Sequence, residues 1–174
     1  SIEPSELTLS SSGATSFVYN GSNQTVGHTL TGVYAEDTGY QVSTTSGTNA
    51  GNYTATLSET SGNYILGTPS SFSWAITKAV LTLTTGNSSM TYGSSVPTQS
   101  FGYSLSGFLG GDTASVITGS ASHSTTATSS SNVGSYPITT TGLSATNYTF
   151  SAVNGTLTIG PATLTATITS GSAT

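Results

Sequence analysis

Hydrophobic and polar residues alternate with a period of two along much of the chain. In four segments an apolar residue recurs at every second position with Thr or Ser between: Leu7–Leu9, Leu81–Leu83, Leu157–Ile159 and Leu164–Ile168. This alternation is typical of a strand with one buried and one solvated face in an antiparallel sheet. The pairs Asn20-Gly21 and Asn154-Gly155 favour hairpin turns. Short strands at this spacing predict an all-β fold of small sandwiches, Ig-like or similar.

The composition agrees with strands and turns. Ser, Thr and Gly dominate the chain, and only 33% of its residues are hydrophobic. The β-branch of Thr fits a pleated surface, whereas Gly and Asn supply turns. A single helical turn is predicted over Asp112–Ile117, with Asp112 as its N-cap.

The chain also repeats itself, in the same order in both halves. The copies lie roughly 73 to 84 residues apart, a period typical of whole domains. The pairs are Val18–Gly21 with Thr91–Gly93, Asn49–Tyr53 with Asn132–Tyr136, Ser61–Leu66 with Ala145–Phe150, Phe72–Thr77 with Gly155–Gly160, and Lys78–Leu83 with Pro161–Ala166. These pairs predict two tandem domains, 1–78 and 79–160, and in 161–174 the opening strand of a third repeat. Because strand Phe72–Thr77 leads almost directly into the next, we expect a short joint and domains arranged end to end.

Charge excludes several classes of partner. Lys78 is the single basic residue beside six Asp and Glu, so the chain has too little positive charge to bind nucleic acid or an anionic membrane. No apolar run is long enough to insert into a bilayer. Without cysteines each domain depends on its own core, and the Thr/Ser/Gly bias suits secreted bacterial surface proteins.

The polar residues do not indicate an enzyme. The carboxylates are scattered over both halves, and His28 and His123 belong to different repeats, so neither a carboxylate pair nor a catalytic triad is expected. No cofactor or metal site is predicted, although Glu36-Asp37 could bind one ion weakly. If the chain binds a ligand, the best candidate is the loop that holds Tyr34, Glu36, Asp37 and Tyr40.

Four tyrosines recur at equivalent positions in the two halves: Tyr53, Tyr64, Tyr136 and Tyr148. They could form a platform on which sugars stack. Their repetition favours the other interpretation, in which each ring packs in a core or at a strand corner and its hydroxyl bonds nearby backbone.

The second half resembles the MBG-type repeat domains of bacterial surface adhesins over residues 79–166. The resemblance rests on Tyr92-Gly93, Pro97, Gly107-Phe108, Gly110–Thr113, Ala127-Thr128, Val133–Tyr136, Asn147-Tyr148, Gly155–Ile159 and Ala162–Thr165. The first half, 1–78, resembles the related YDG-type repeat through Tyr19–Gly21, Thr31–Val33, Asn49–Tyr53 and Ser61–Tyr64. It departs in having Asn20 where Asp is common, and in lacking a Gly-Asp-Thr counterpart to Gly111–Thr113.

The resemblance implies arrays of domains on an exported protein and no active site. We therefore expect a non-catalytic stalk or spacer region of a secreted bacterial cell-surface adhesin, which projects a tip domain from the cell. Its partners would be the neighbouring repeats of the same chain, and it would be extracellular, attached through other parts of a longer precursor. The alternative is a repeat module that binds a host glycan or protein.

Overall fold

The computed structural model describes residues 3–34, 37–98 and 101–167 of the 174-residue chain. These residues form sixteen strands, and a 3₁₀ turn lies at Ala114–Val116, so the all-β prediction is confirmed. The strands are β1 Ser5–Ser11, β2 Ser16–Val18, β3 Gln24–Thr25, β4 His28–Thr31, β5 Tyr40–Ser43, β6 Ser46–Gly47, β7 Gly51–Glu59, β8 Tyr64–Leu66, β9 Ser71–Thr77, β10 Ala79–Thr85, β11 Ser88–Thr91, β12 Tyr103–Ser106, β13 Ile117–Thr125, β14 Gly134–Ala145, β15 Tyr148–Val153 and β16 Gly155–Gly160.

The same strand plan occurs twice along the chain. The first half has one sheet in the order β4-β1-β8 and another in the order β2-β9-β7-β5, with β3 and β6 as a separate pair. The second half has the orders β12-β10-β15 and β11-β16-β14-β13. Each strand of the second half therefore has its counterpart, at the same place in its sheet, in the first. The internal similarity of the sequence corresponds to a similarity of strand order.

The sheets are mixed, which the alternation pattern did not predict. β1 pairs with β8, β2 with β9 and β11 with β16 in parallel, whereas β5, β7 and β9 are antiparallel neighbours. A parallel pair needs a long connection between its strands. Here that connection is most of a repeat, because each pair joins strands from the beginning and the end of one half.

Two compact units can be distinguished by contacts, and their boundaries differ from the repeat boundary at residues 78 and 79. Unit 1 comprises residues 1–81, 107–118 and 144–150, and unit 2 comprises 82–106, 119–143 and 151–174. Unit 1 thus contains the predicted first repeat together with three segments of the predicted second, residues 79–81, 107–118 and 144–150. The division into domains 1–78 and 79–160 stays a prediction from the repeats.

Each unit has its own hydrophobic core. In unit 1, buried side chains from both sheets of the first half form one cluster around Leu7, Leu9, Leu57, Trp74 and Ile76. In unit 2 the cluster consists of Phe101, Ala127, Ile138, Leu157 and Ile159. Six of the alternating Leu and Ile residues predicted to face inward are buried, and each stabilises its unit by about 1.5–3 kcal/mol: Leu7, Leu9, Leu81, Leu83, Leu157 and Ile159. Leu164, predicted to face inward as well, is exposed.

Neither Asn-Gly pair forms the hairpin predicted for it. Gly21 lies between β2 and β3, and Asn154 between β15 and β16, and in each case the two strands belong to different sheets. Gly155 is required for another reason: a Cβ there would collide with the backbone of Thr85 and Gly86. The Asn-Gly signal marked a change of direction, but it did not show which strands pair.

Two further local predictions need correction. The short helical turn is capped by Thr113, whose Oγ1 accepts a hydrogen bond from the Ser115 N–H at 3.4 Å, and Asp112 makes other contacts. The strand predicted from Leu164 onward is not formed over residues 161–167, and its remainder lies outside the described residues. Its counterpart β10 is held between β12 and β15, and the described residues provide no such partners for 161–167.

Candidate functional site

The loop predicted to bind a ligand is held in unit 1 by its own hydrogen bonds. The Tyr34 N–H donates to the Tyr64 hydroxyl at 3.4 Å, and the Asp37 N–H to the Tyr34 carbonyl oxygen at 3.3 Å. The Asp37 carboxylate accepts from the Gly39 N–H at 2.9 Å. This bond and one from the Tyr64 hydroxyl hold the pKa of Asp37 below its usual value.

Of the other predicted members of this loop, Tyr40 packs edge-on against Tyr64, with ring centroids 6.3 Å apart. Tyr34 is exposed, and Glu36 lies outside the described residues. Asp37 is therefore the only described carboxylate of the loop. It serves to fix the loop's conformation.

The loop at residues 109–113 has the same hydrogen bonds. The Leu109 N–H donates to the Tyr148 hydroxyl at 3.0 Å, and the Asp112 N–H to the Leu109 carbonyl oxygen at 2.9 Å. Asp112 and Tyr148 thus correspond to Asp37 and Tyr64. The first half has no Gly-Asp-Thr here, as its sequence indicated, but Asp37-Thr38 occupies the place of Asp112-Thr113 without the two preceding glycines. The difference in sequence concealed a shared backbone arrangement.

Asp112 is the centre of a polar cluster inside unit 1. Its Oδ2 accepts hydrogen bonds from the hydroxyls of Tyr19, at 2.8 Å, and Tyr148, at 2.7 Å. The two rings pack edge to face with centroids 5.3 Å apart, and only 5% of Tyr19 and 2% of Tyr148 are exposed. The hydrogen bond to Asp112, burial and the negative charge raise the pKa of Tyr19. Burial first, and then Asp112, raises the pKa of Tyr148.

Backbone contacts surround this cluster. Gly21 and Gly110, both with positive φ, approach so closely that a Cβ on either would collide with the other's backbone. Asn147 accepts from the Ala50 N–H at 2.9 Å through its side chain and from the Ala79 N–H at 2.9 Å through its carbonyl. The Lys78 ammonium donates to the Ala145 carbonyl oxygen at 2.8 Å. We call Tyr19, Gly21, Asn49 and Ala50 the receiving surface, and Gly110, Asp112, Asn147 and Tyr148 the inserted face.

The four matched tyrosines have structural roles. The hydroxyls of Tyr53 and Tyr136 donate to the carbonyl oxygens four residues earlier, Asn49 and Asn132, at 2.6 and 3.0 Å. Tyr64 and Tyr148 are buried. A sugar needs an open aromatic face, which a buried ring does not offer. These contacts favour the architectural interpretation of the repeated tyrosines.

His123 lies in unit 2, next to a pair of threonine hydroxyls. His123 Nδ1 lies 2.9 Å from the Thr140 hydroxyl, which is 2.7 Å from that of Thr85. Unit 2, to which these residues belong, contains no Asp or Glu that could orient the imidazole.

Within residues 3–34, 37–98 and 101–167 no three His, Cys, Asp or Glu side chains are grouped as metal ligands. The same residues include no helix with the length and apolar character needed to cross a membrane.

An open groove of about 370 Å³ in unit 1 is lined by Thr15, Asn52, Ser73, Trp74 and Ala75. None of these side chains titrates. The Trp74 ring is covered by stacking with Tyr53 at a centroid distance of 4.5 Å, and its Nε1–H is bonded to the Thr44 carbonyl oxygen. The groove therefore presents neither a charge nor an open aromatic face to a ligand.

Comparison with known proteins gives a match for one part of the chain. No curated protein and no solved structure matches the chain. A family of repeat domains typical of bacterial surface proteins does match, over most of the second repeat including Tyr92-Gly93 and the Asp112 loop. Residues 81–158 match the family model of the MBG domain, YGX type.

Proposed function

We propose that this chain is part of the stalk of a secreted bacterial cell-surface adhesin, a spacer that holds a tip domain away from the cell. The observation that carries the proposal is the match of residues 81–158 to the MBG domain, a kind of repeat typical of bacterial surface proteins. The chain would be extracellular and attached through other parts of a longer precursor. Its first half would be a related repeat of the YDG type.

The contacts of the polar residues support a spacer. The most conspicuous polar group, the Asp112 carboxylate, is occupied by two tyrosine hydroxyls of the same unit. The repeated tyrosines bond nearby backbone or pack in the core. In a binding module, Asp and Tyr side chains of this kind would contact a ligand. Here they hold one part of the chain against another.

Mechanical behaviour on a cell surface would test the proposal. The chain is displayed between a membrane anchor and a fluorescent tag, in one copy and in two copies, and the height of the tag above the membrane is measured. A stiff spacer should double the added height with the second copy. With a flexible Gly/Ser control of equal length, the added height should increase only about 1.4-fold from one copy to two, because the span of a random coil grows with the square root of its length. Coil-like scaling of the displayed chain would contradict the spacer.

Binding assays address the alternative, a module that recognises a host glycan or protein. The purified chain is applied to glycan arrays and to mucin at high concentration, with an unrelated acidic β-protein as the control. A spacer should show no saturable binding. Saturable binding that is lost on substitution at Tyr34 or Asp37 would instead support the loop first predicted from the sequence.

A further inference from the structure

In unit 1 the receiving surface is covered by the inserted face. Tyr19 bonds Asp112 and packs on Tyr148, and Gly21 lies against Gly110. Beside them, Asn147 bonds the Ala50 N–H and the Asn49 side chain. The two sets of residues come from different repeats, since the receiving surface belongs to the first and the inserted face to the second. Unit 1 therefore shows in detail how one repeat holds the next.

Unit 2 has a second receiving surface with the same backbone plan. The Tyr92 N–H donates to the Gly160 carbonyl oxygen at 2.8 Å, as the Tyr19 N–H does to Thr77 at 2.9 Å. Tyr92 follows β11, which pairs in parallel with the last strand of its repeat, as β2 does before Tyr19. Gly93 has a φ of +85°, close to the +78° of Gly21, but it follows its tyrosine by one residue where Gly21 follows Tyr19 by two.

The other part of the receiving surface is also repeated. The Tyr136 hydroxyl bonds the Asn132 carbonyl oxygen as Tyr53 bonds Asn49. Asn132 and Val133 therefore occupy the positions of Asn49 and Ala50. Unit 2 thus repeats Tyr19, Asn49 and Ala50 as Tyr92, Asn132 and Val133, and has in Gly93 a left-handed glycine one position nearer to its tyrosine than Gly21.

The second receiving surface differs in being open. Tyr92 is 46% exposed, against 5% for Tyr19, and Val133 is 56% exposed. Among the described residues no atom lies within 4 Å of a Cβ built on Gly93. Leu164, which aligns with the fully buried Leu81, is 94% exposed. The surface thus has the form of an occupied one, together with the apolar area that an occupant would bury.

We propose that Tyr92, Gly93, Asn132 and Val133 form a docking surface for a further repeat of this kind in the same chain. The occupant would have the same groups as the inserted face. These are an Asp carboxylate that accepts a hydrogen bond from the Tyr92 hydroxyl, a glycine beside Gly93, and an Asn-Tyr pair next to Val133. Asp37 and Tyr64 repeat the arrangement of Asp112 and Tyr148, so they provide the opposite half of the contact, for a preceding repeat. Head-to-tail contacts of this type add units without closing into a ring.

The docking contact shares with the proposed stalk only the premise that such repeats occur in tandem. Without this contact, the chain could still form a spacer of loosely joined domains. If the chain proved to be a glycan-binding module, the joint would still be tested by the experiment that follows.

The experiment extends the chain and probes Tyr92. Residues 1–161 are followed by a copy of residues 79–160 that carries Tyr92→Phe, so that only the original Tyr92 yields its peptide. Both the natural and the extended chain are nitrated with tetranitromethane under native conditions and analysed by mass spectrometry. We expect Tyr92 to react in the natural chain and at least tenfold more slowly in the extended one. Tyr34 and Tyr103, both exposed, should react equally in both chains.

Substitutions in the copy show whether the protection comes from the proposed contact. Asp112→Ala and Gly110→Ala in the copy should restore the reactivity of Tyr92. Gly111→Ala is the matched control, since Gly111 also has a positive φ but no described atom lies within 4 Å of its Cβ, and Tyr92 should stay protected. Tyr148 should stay unreactive in every chain, which shows that the copy is folded.

Three results would overturn the proposal. One is a Tyr92 that reacts equally with and without a folded copy. Another is protection that survives both Asp112→Ala and Gly110→Ala. The third is protection of Tyr92 in the natural chain by added mucin but not by the copy, which would assign the surface to a glycan.

Discussion

Removing the hydroxyl of Tyr19 tests whether the Asp112 cluster holds unit 1 together. Tyr19→Phe keeps the ring that packs edge to face on Tyr148, so it deletes mainly the 2.8 Å hydrogen bond to Asp112. A hydrogen bond to a charged group contributes about 1.5–3 kcal/mol. Asp112 is partly exposed and keeps its bond from Tyr148, so we take the lower end. The expected loss in the free energy of unfolding of unit 1 is about 1.5–2 kcal/mol.

Trp74 makes the measurement specific. It is the only tryptophan of the chain and lies in the core of unit 1, so its fluorescence in a urea titration reports on that unit. With an m-value of about 2 kcal/mol/M, the midpoint should fall by about 0.7–1 M at unchanged slope. Tyr92→Phe is the matched control, because it removes an exposed hydroxyl with no partner among the described residues and should change stability by less than about 0.5 kcal/mol.

A double-mutant cycle separates the bond from other effects of the substitution. Asp112→Asn removes the charge with little change in shape, and the double variant Tyr19→Phe/Asp112→Asn should lose less than the sum of the single variants by about 1 kcal/mol. The reasoning would be refuted by strictly additive losses. It would also be refuted if Tyr19→Phe were as harmless as Tyr92→Phe.

Three further predictions concern the contact at Gly21, the buried tyrosine hydroxyls and the effect of metal ions. Gly21→Ala should cost more than the 1–2 kcal/mol or so of left-handed backbone strain expected for Gly93→Ala, because only at Gly21 does the new Cβ meet Gly110; equal losses in urea titrations would contradict this. Folding raises the pKa values of Tyr19 and Tyr148, so their contribution to the free energy of unfolding should be complete below about pH 10 and be lost as the pH rises further. The loss of stability at alkaline pH should be smaller in Tyr19→Phe. An equal loss in the two proteins would contradict this prediction. The melting temperature should differ by less than about 5 °C between excess calcium and chelator, and a larger difference would reveal a metal site.

The sequence by itself determined the class of fold and its repetition. The alternation of Leu and Ile with Thr identified the buried faces of β1, β10 and β16, because residues two apart in a strand lie on the same face. The paired motifs predicted two halves of like construction, and the strand orders of the two halves agree. Charge and composition are properties of the whole chain, so the expectations they carry about partners required no coordinates.

Other features were decided only by the tertiary structure. Parallel pairing of β2 with β9 and of β11 with β16 joins strands that are far apart in sequence, and alternation is the same in parallel and antiparallel neighbours. The equivalence of Asp37 with Asp112 is carried by backbone hydrogen bonds that different side chains can support, so the motif differs while the loop is the same. The role of Tyr19 in the Asp112 cluster was not predicted, because the sequence shows Tyr19 only as the position equivalent to Tyr92. Its contact with Asp112 links residues 93 positions apart, and only the folded chain brings such residues within hydrogen-bonding distance.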